Sequence, residues 1–359
     1  MKKINCLLVL FMAIIHCNCQ EKKIEISKDT DLDSLFEEEI INQGIVGAAA
    51  AYSINGETIW ETVGGYSDEK TKQSFQKNTK VRMASIAKSM TAIAIMQLVE
   101  KGLLDLDAPI QNYVPNYPKQ TKTQITTRHL LSHTSGIDGY KNTKEAETQI
   151  NYPTLDDAIT IFKNRPLLFE PGTGYNYTTY GYTLLGLILE NISGLTYEDY
   201  MRKNIWDIAE MNNTGIDVYG KDEGNSSKLY SKRRNGKTIE GTENNLSNRV
   251  PGGGFYTTIG DMMKFGNSVI ENTLIKRETL DLMRQRHSVN TESKYGFGWF
   301  LYTPAPNEGR LIGHGGAQMG CSSQLFIVPD EGVVSVVLAN TSRTEVTGFA
   351  AKLAKLALK

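Results

Sequence analysis

Residues 81–102 read VRMASIAKSMTAIAIMQLVEKG, and the rest of the chain is best read outward from them. From Met90 to Val99 the stretch is apolar on nearly every side, the pattern of a helix buried inside a protein rather than lying on its surface. Ser85 opens that helix, Lys88 follows one turn later on the same face, and Gly102 marks its end. A serine at a helix N-terminus meets free backbone N–H groups and the positive end of the helix dipole, which favour negative charge developing near Oγ. A lysine among apolar neighbours is costly to keep charged, so its pKa falls and a neutral amine can take the serine proton. The spacing Ser-x-x-Lys recurs at Ser67/Lys70 and Ser74/Lys77, but both of those pairs sit in polar, turn-like sequence. A capping serine with a lysine that reaches out to solvent is the plainer reading of the same residues.

On either side of this helix the signals are those of strands at the chain ends. Val46–Tyr52 is apolar, Asn55-Gly56 is the dipeptide of a primed hairpin turn, and Glu57–Val63 returns as a partner strand. Gln324–Val328, the turn Pro329–Gly332 and Val333–Leu338 predict a second hairpin, and Glu345–Leu358 repeats apolar residues at helical spacing. Between the ends, Thr154–Lys163 and Tyr182–Asn191 read as helices, the second stopping near Gly194. The charged excursion Tyr230–Lys237 turns at Asn235-Gly236 and reads as a solvated hairpin. The expected fold class is α+β: an antiparallel sheet from both chain ends, flanked by helices, with an inserted mainly helical domain. On this reading residues 24–80 and 250–359 form the α/β domain and 81–249 the helical one.

Composition narrows the function. With 39 Lys and Arg against 40 Asp and Glu in 359 residues, the chain carries no excess of positive charge for reading nucleic acid. At 40% hydrophobic and 22% charged it is ordinary globular sequence, long enough for a sizeable core. Cys6, Cys17 and Cys19 crowd the first nineteen residues and leave Cys321 alone in the body, so neither a disulfide framework nor a CxxC site can be built. Lys2 and Lys3 precede an apolar run from Cys6 to Ile15, which predicts an export signal within residues 1–19, too short to span a bilayer. Two fates stay open: simple secretion or periplasmic release, and a lipid anchor on Cys17. His129 and His133, four apart on an expected helix, are spaced to ligate zinc from one face, but the glutamate of the HExxH pattern is missing and no third ligand stands out. A structural pair bonding a neighbouring loop is the reading preferred.

The nucleophile-helix sequence is followed, in order, by Ile125–Gly136 (ITTRHLLSHTSG), Pro171–Gly186 (PGTGYNYTTYGYTLLG), Gly252–Asp261 (GGGFYTTIGD), Tyr295–Trp299 (YGFGW) and His314-Gly-Gly316. On these six blocks, which span nearly all of the chain after its leader, the protein resembles the serine β-lactamase and penicillin-binding protein family, in its class C-like branch. The resemblance implies the β-lactamase/transpeptidase-like fold, Ser85 as nucleophile and Lys88 as its base, with neither cofactor nor metal. It puts a catalytic tyrosine at Tyr177, close to a cationic amine that eases its ionisation, and puts Thr179 where the family usually has asparagine. A literal Tyr-x-Asn match at Tyr140-Lys-Asn142 lies outside the family's surroundings and is set aside as accidental. His314, expected on an edge strand, would orient the tyrosine or meet an acidic substrate group; a lone histidine in a turn is the alternative. Gly316 would let substrate approach that strand, with the Ala317 N–H joining that of Ser85 as an oxyanion hole. The glycines Gly252–Gly254 read as a turn beside the cleft. The implied function is hydrolysis of a small-molecule or peptide substrate through a covalent acyl-enzyme. Peptide-like amides come first, an esterase for small acyl groups second and a true β-lactamase third, and a non-catalytic ligand-binding or structural descendant is the reading from another class.

Overall fold

The computed structural model describes residues 31–287, 293–303, 307 and 309–359. The export signal and Cys17 lie outside the described residues.

Strand Gly47–Ile54 turns at Asn55 and Gly56, both at positive φ (50° and 83°), into strand Glu57–Asp68. Two left-handed residues in succession give the primed turn whose twist matches the flanking strands. The second hairpin, Cys321–Val328 and Val333–Ala339, closes through a short 3₁₀ turn at Pro329–Glu331 and Gly332 at φ 68°. The two hairpins join edge to edge, with Ala48 opposite Ala339 and Ile54 opposite Val333. One seven-stranded antiparallel sheet results. From edge to edge its strands run Gln73–Ser74, Glu57–Asp68, Gly47–Ile54, Val333–Ala339, Cys321–Val328, Ile312–Gln318 and Phe300–Leu301.

The central strands are unbroken apolar runs because both faces of the sheet are covered. Pleating sends Ala49, Ala51, Val334, Val336 and Leu338 into one core and Ala48, Ala50, Val333, Val337 and Ala339 into the other. Helices Leu32–Glu39 and Thr347–Ala357 cover the second face, where Phe36 and Phe349 meet edge-on with ring centroids 5.8 Å apart. The first face packs on the helical part of the molecule. There the helix Ala87–Glu100 is buried from Ala87 through Leu98, so no side of it meets solvent. It lies against helix Thr179–Ser193, which Thr178 caps at its start and Gly194, at φ 70°, at its end. No helix among the described residues is long and apolar enough to cross a membrane.

Several sequence expectations shift in extent. The helix expected over Thr154–Lys163 is helical only from Leu155 to Ile159, and that expected from Tyr182 begins three residues earlier at Thr179. The excursion at Tyr230–Lys237 is a hairpin, but Tyr230 and Ser231 are buried, because Tyr230 and Ser231 pair in parallel with Thr341 and Ser342. Gly252 and Gly253 belong to a single helical turn, Val250–Gly253, rather than to a loop.

Candidate active site

Ser85 sits in a 3₁₀ turn, Ala84–Ile86, between strand Val81–Arg82 and the buried helix. Two anchors hold that entry. The buried Arg82 guanidinium bonds Asp217 at 2.7 Å and Asn244 at 2.6 Å, and Met83 O accepts from Ser323 Oγ at 2.9 Å. Ala84 between them is held at φ 50°, a left-handed conformation uncommon for a residue with a Cβ. Such strain persists only where the surroundings over-determine it, and here it aims Ser85 at the cleft.

Lys88 is fully buried one turn on. Its Nζ has three partners: Gly252 O at 2.6 Å, Ser85 Oγ at 3.1 Å and Thr179 Oγ1 at 3.2 Å. Burial, and secondarily the charge of Arg249, holds its pKa well below the ordinary lysine value. A neutral amine has two protons and one lone pair, so the three bonds cannot all run outward from nitrogen. The Gly252 carbonyl can only accept, so whenever the amine is neutral one hydroxyl donates to it, and Ser85 is placed to do so.

Tyr177 and Thr179 arrive at the start of the next helix. The Lys88 amine lies 5.0 Å from the centroid of the Tyr177 ring, and the Tyr177 hydroxyl meets that of Ser85. Burial pushes the Tyr177 pKa up, which runs against the expectation of a tyrosine eased into ionisation by a cationic neighbour. Thr179, placed by resemblance as a substrate contact, spends its hydroxyl on Lys88 and is not among the residues lining the Ser85 cleft. Replacing it with valine keeps the shape and removes the acceptor, so labelling of Ser85 by a fluorophosphonate should slow about tenfold, with Thr179→Ser close to the parent. Equal labelling rates in all three proteins would show the contact to be idle.

His314 lies on strand Ile312–Gln318, whose outer partner Phe300–Leu301 pairs only with Ile312 and Gly313. From His314 onward the edge is open to the cleft. Nδ1 bonds Gly315 O at 2.7 Å, which makes it the protonated nitrogen, and Nε2 accepts from the Tyr295 hydroxyl at 3.0 Å. The histidine therefore orients Tyr295 rather than Tyr177. Burial lowers its pKa to about 3, which keeps the ring neutral at ordinary pH. Gly316 follows, and a Cβ there would stand 2.2 Å from Ser323 Oγ and 2.3 Å from Met83 O, so the strand and the serine turn touch only because this residue is glycine. Ala317 is exposed at the cleft beside Ser85. The cleft itself, about 480 Å³, runs from Ser85 and Tyr177 along this strand to the start of the C-terminal helix.

The histidine pair does not share a helix face. His129 lies in helix Thr127–Leu131, where its Nδ1 accepts from the Thr126 N–H at 3.2 Å in a reciprocal cap. His133 has left the helix with φ 59°; its ring packs 4.3 Å from that of Tyr177 and accepts from the Thr178 N–H at 3.2 Å. Among the described residues no group of three or more His, Cys, Asp or Glu side chains is placed to hold a metal. His133 thus acts as a wedge that sets both Tyr177 and the start of the Thr179 helix.

Three participants have roles that the sequence did not assign to them. The Gly252 carbonyl binds Lys88 through its backbone alone. Tyr140 is half-buried, with its hydroxyl beside that of Thr179, and Arg249 lies over its ring at 4.6 Å. Its neighbour in the literal triplet, Asn142, caps helix Thr143–Ala146 instead, so the triplet does not act as a unit. Only Tyr295 was within reach, as the head of a quoted block.

A buried serine–lysine pair, a tyrosine over it and an open strand edge opposite, on an antiparallel sheet built from both chain ends, define a β-lactamase/transpeptidase-like serine hydrolase fold. The family model described as Beta-lactamase matches residues 32–359, and the chain belongs to that family. It is 28% identical to the mitochondrial serine beta-lactamase-like protein of Homo sapiens over 410 aligned positions, covering 87% of this chain and 73% of that one. Among solved structures, the octameric penicillin-binding protein homologue from Pyrococcus abyssi superposes with a TM-score of 0.78 at 25% identity, covering 91% of this chain and 76% of that one. The D-amino acid amidase from Ochrobactrum anthropi SV3 shares the fold, with a TM-score of 0.78 at 23% identity, covering 92% of this chain and 99% of that one.

Proposed function

We propose that the protein is an exported serine hydrolase that cleaves peptide-like amide bonds through an acyl-enzyme on Ser85. The observation that carries this is the fully buried Lys88 amine, its pKa held well below the ordinary lysine value, within hydrogen-bond reach of Ser85 Oγ. In this reading Oγ attacks the substrate carbonyl carbon while its proton passes to Lys88 Nζ. The carbonyl oxygen, now carrying the negative charge, is held by the N–H groups of Ser85 and Ala317. Lys88 returns the proton through the Tyr177 hydroxyl to the departing nitrogen, the C–N bond breaks, and the acyl group remains on Ser85. Water then enters, loses a proton along the same route, and releases the acid. Gly316 gives the substrate access to the strand. Amides are favoured over esters because an amine leaving group needs a proton donor facing it, and Tyr177, held protonated by burial, is one. The leader read from residues 1–19 supports export, by secretion or with Cys17 as lipid anchor.

A chromogenic panel of D- and L-peptide amides, short esters and a cephalosporin, each run beside Ser85→Ala, tests the reading. Ser85-dependent amide turnover is the expected result, with cephalosporin kcat/KM below about 10⁴ M⁻¹s⁻¹, the lower bound for good enzymes. The hydroxyl of Thr179 is committed to Lys88 and offers no NH2 donor to an antibiotic's amide. Binding without turnover anywhere in the panel would favour a non-catalytic descendant, and efficient cephalosporin hydrolysis would favour a true β-lactamase.

A further inference from the structure

We infer that Glu345 sets the charge of the leaving group this site accepts, favouring an ammonium or guanidinium and rejecting a carboxylate; the inference rests on the hydrolase reading above. The cleft that opens from Ser85 and Tyr177 ends at Thr344–Thr347, where the C-terminal helix begins. The group that protonates a departing atom must face it, so the Tyr177 side of the cleft is where the leaving group lies. The described residues that line the cleft as a whole carry one formal charge. His314 is neutral because burial lowers its pKa to about 3, and burial pushes Tyr177 and Tyr302 upward so that both stay protonated. Glu345 is the one Asp, Glu, Lys or Arg side chain among the lining residues. Its carboxylate is fixed rather than free, since Oε1 accepts from the Thr347 N–H at 2.6 Å, at the positive end of the helix Thr347–Ala357. The side chain stays exposed, so it presents its negative charge to whatever fills the cleft. Arg343, two residues earlier, is not among the lining residues.

A carboxylate placed in that cleft meets like charge with no cation to neutralise it, while a cation gains a partner already held in position. The consequence is a substrate class. Release of a free C-terminal amino acid, whose carboxylate departs with the leaving group, is disfavoured. Amides and esters of amine-bearing groups are preferred, as are internal peptide bonds followed by a lysine- or arginine-like side chain.

Three butyrate esters with one acyl group and different phenols test this: 4-(aminomethyl)phenyl, 4-methylphenyl and 4-carboxyphenyl. Each kcat/KM is divided by the ester's own hydroxide rate, so that intrinsic reactivity cancels. In the parent protein the cationic ester should exceed the anionic one by about tenfold at low salt, less at 0.5 M NaCl. Glu345→Gln, which keeps an acceptor for the Thr347 N–H, should bring that ratio near one, and Glu345→Lys should invert it. A perturbation that is merely structural would lower all three esters together and leave the ratio alone. Ser85-dependent turnover with a ratio unmoved by either variant overturns this inference and leaves the hydrolase reading standing. No Ser85-dependent turnover of any ester, together with no amide turnover, overturns both.

Discussion

Lys88→Ala should lose at least about 10³-fold in the rate at which a fluorophosphonate labels Ser85, close to the loss in Ser85→Ala itself, because groups that act as one unit lose nearly everything when either is removed. The fully buried amine bonds Ser85, Thr179 and the Gly252 carbonyl at once, and among the described residues no other base is hydrogen-bonded to Oγ: burial pushes the Tyr177 pKa up, and the His314 ring is bonded to Tyr295 and Gly315. Lys88→Arg should not rescue the rate, since a guanidinium stays protonated and cannot take the serine proton. The same amine fixes the pH dependence. Its folded pKa is depressed, so acylation should fall as pH drops through that value and the amine takes a proton, while His314, titrating near 3, adds no limb above it. Stability follows the same sign. Between the depressed folded pKa and the ordinary lysine value near ~10.4, the unfolded chain binds a proton the folded one does not, so stability rises with pH across that window. Lys88→Met should flatten that slope in urea titrations run from pH 7 to 10. Labelling of Lys88→Ala within tenfold of the parent would remove lysine from the mechanism.

Gly316→Ala is expected to cost roughly 10² in kcat/KM and to lower the melting temperature as well. The added methyl would stand 2.2 Å from Ser323 Oγ and 2.3 Å from Met83 O, the two atoms whose bond ties the serine turn to the sheet. Neither can yield cheaply: one is backbone and the other is buried. The strand must therefore move away from Ser85, carrying the Ala317 N–H with it, and misplacement on the order of 1 Å at a reacting centre is worth about 10²-fold. Overpacking of this kind costs about 1–3 kcal/mol in stability. Gly315→Ala is the matched control, because its Cβ would meet only the tip of the Gln324 side chain at 3.1 Å. Near-parental activity in Gly316→Ala, or equal losses in the two variants, would show that the seam does not set the geometry.

What the sequence disclosed divides along the range of the interactions. The two end hairpins were readable because their signals are local, an Asn55-Gly56 turn and a Pro329–Gly332 turn between apolar runs. So was the Ser85 helix, whose apolar surround implied burial before any partner was known. The partners were not readable. Lys88 is held by a backbone carbonyl 164 residues away, an interaction that leaves no mark on side-chain identity. His133 looked like the second member of an i, i+4 pair, but the helix Thr127–Leu131 ends two residues earlier and its ring turns to the tyrosines. Tyr140 was passed over because the triplet around it has the wrong surroundings; its place beside Thr179 is a product of packing, not of motif. The ionisation state of Tyr177 depended on how deeply it is buried, which no spacing reveals.

The middle position of strand Val333–Ala339, between Gly47–Ile54 and Cys321–Val328, imposes an order on biosynthesis. The first hairpin leaves the ribosome well ahead of the second, yet one edge of Gly47–Ile54 has no mate until Val333–Ala339 has been made. For all that time an alanine-rich apolar edge stands exposed, the kind of surface on which chains join one another wrongly. Pairings so distant along the chain also close slowly. A polypeptide cut short ahead of residue 312 would lack the glycine seam and the open strand beside the serine, and would keep that adhesive edge. Competence to react and protection from aggregation are thus gained together, once strands Ile312–Gln318 through Val333–Ala339 are in place.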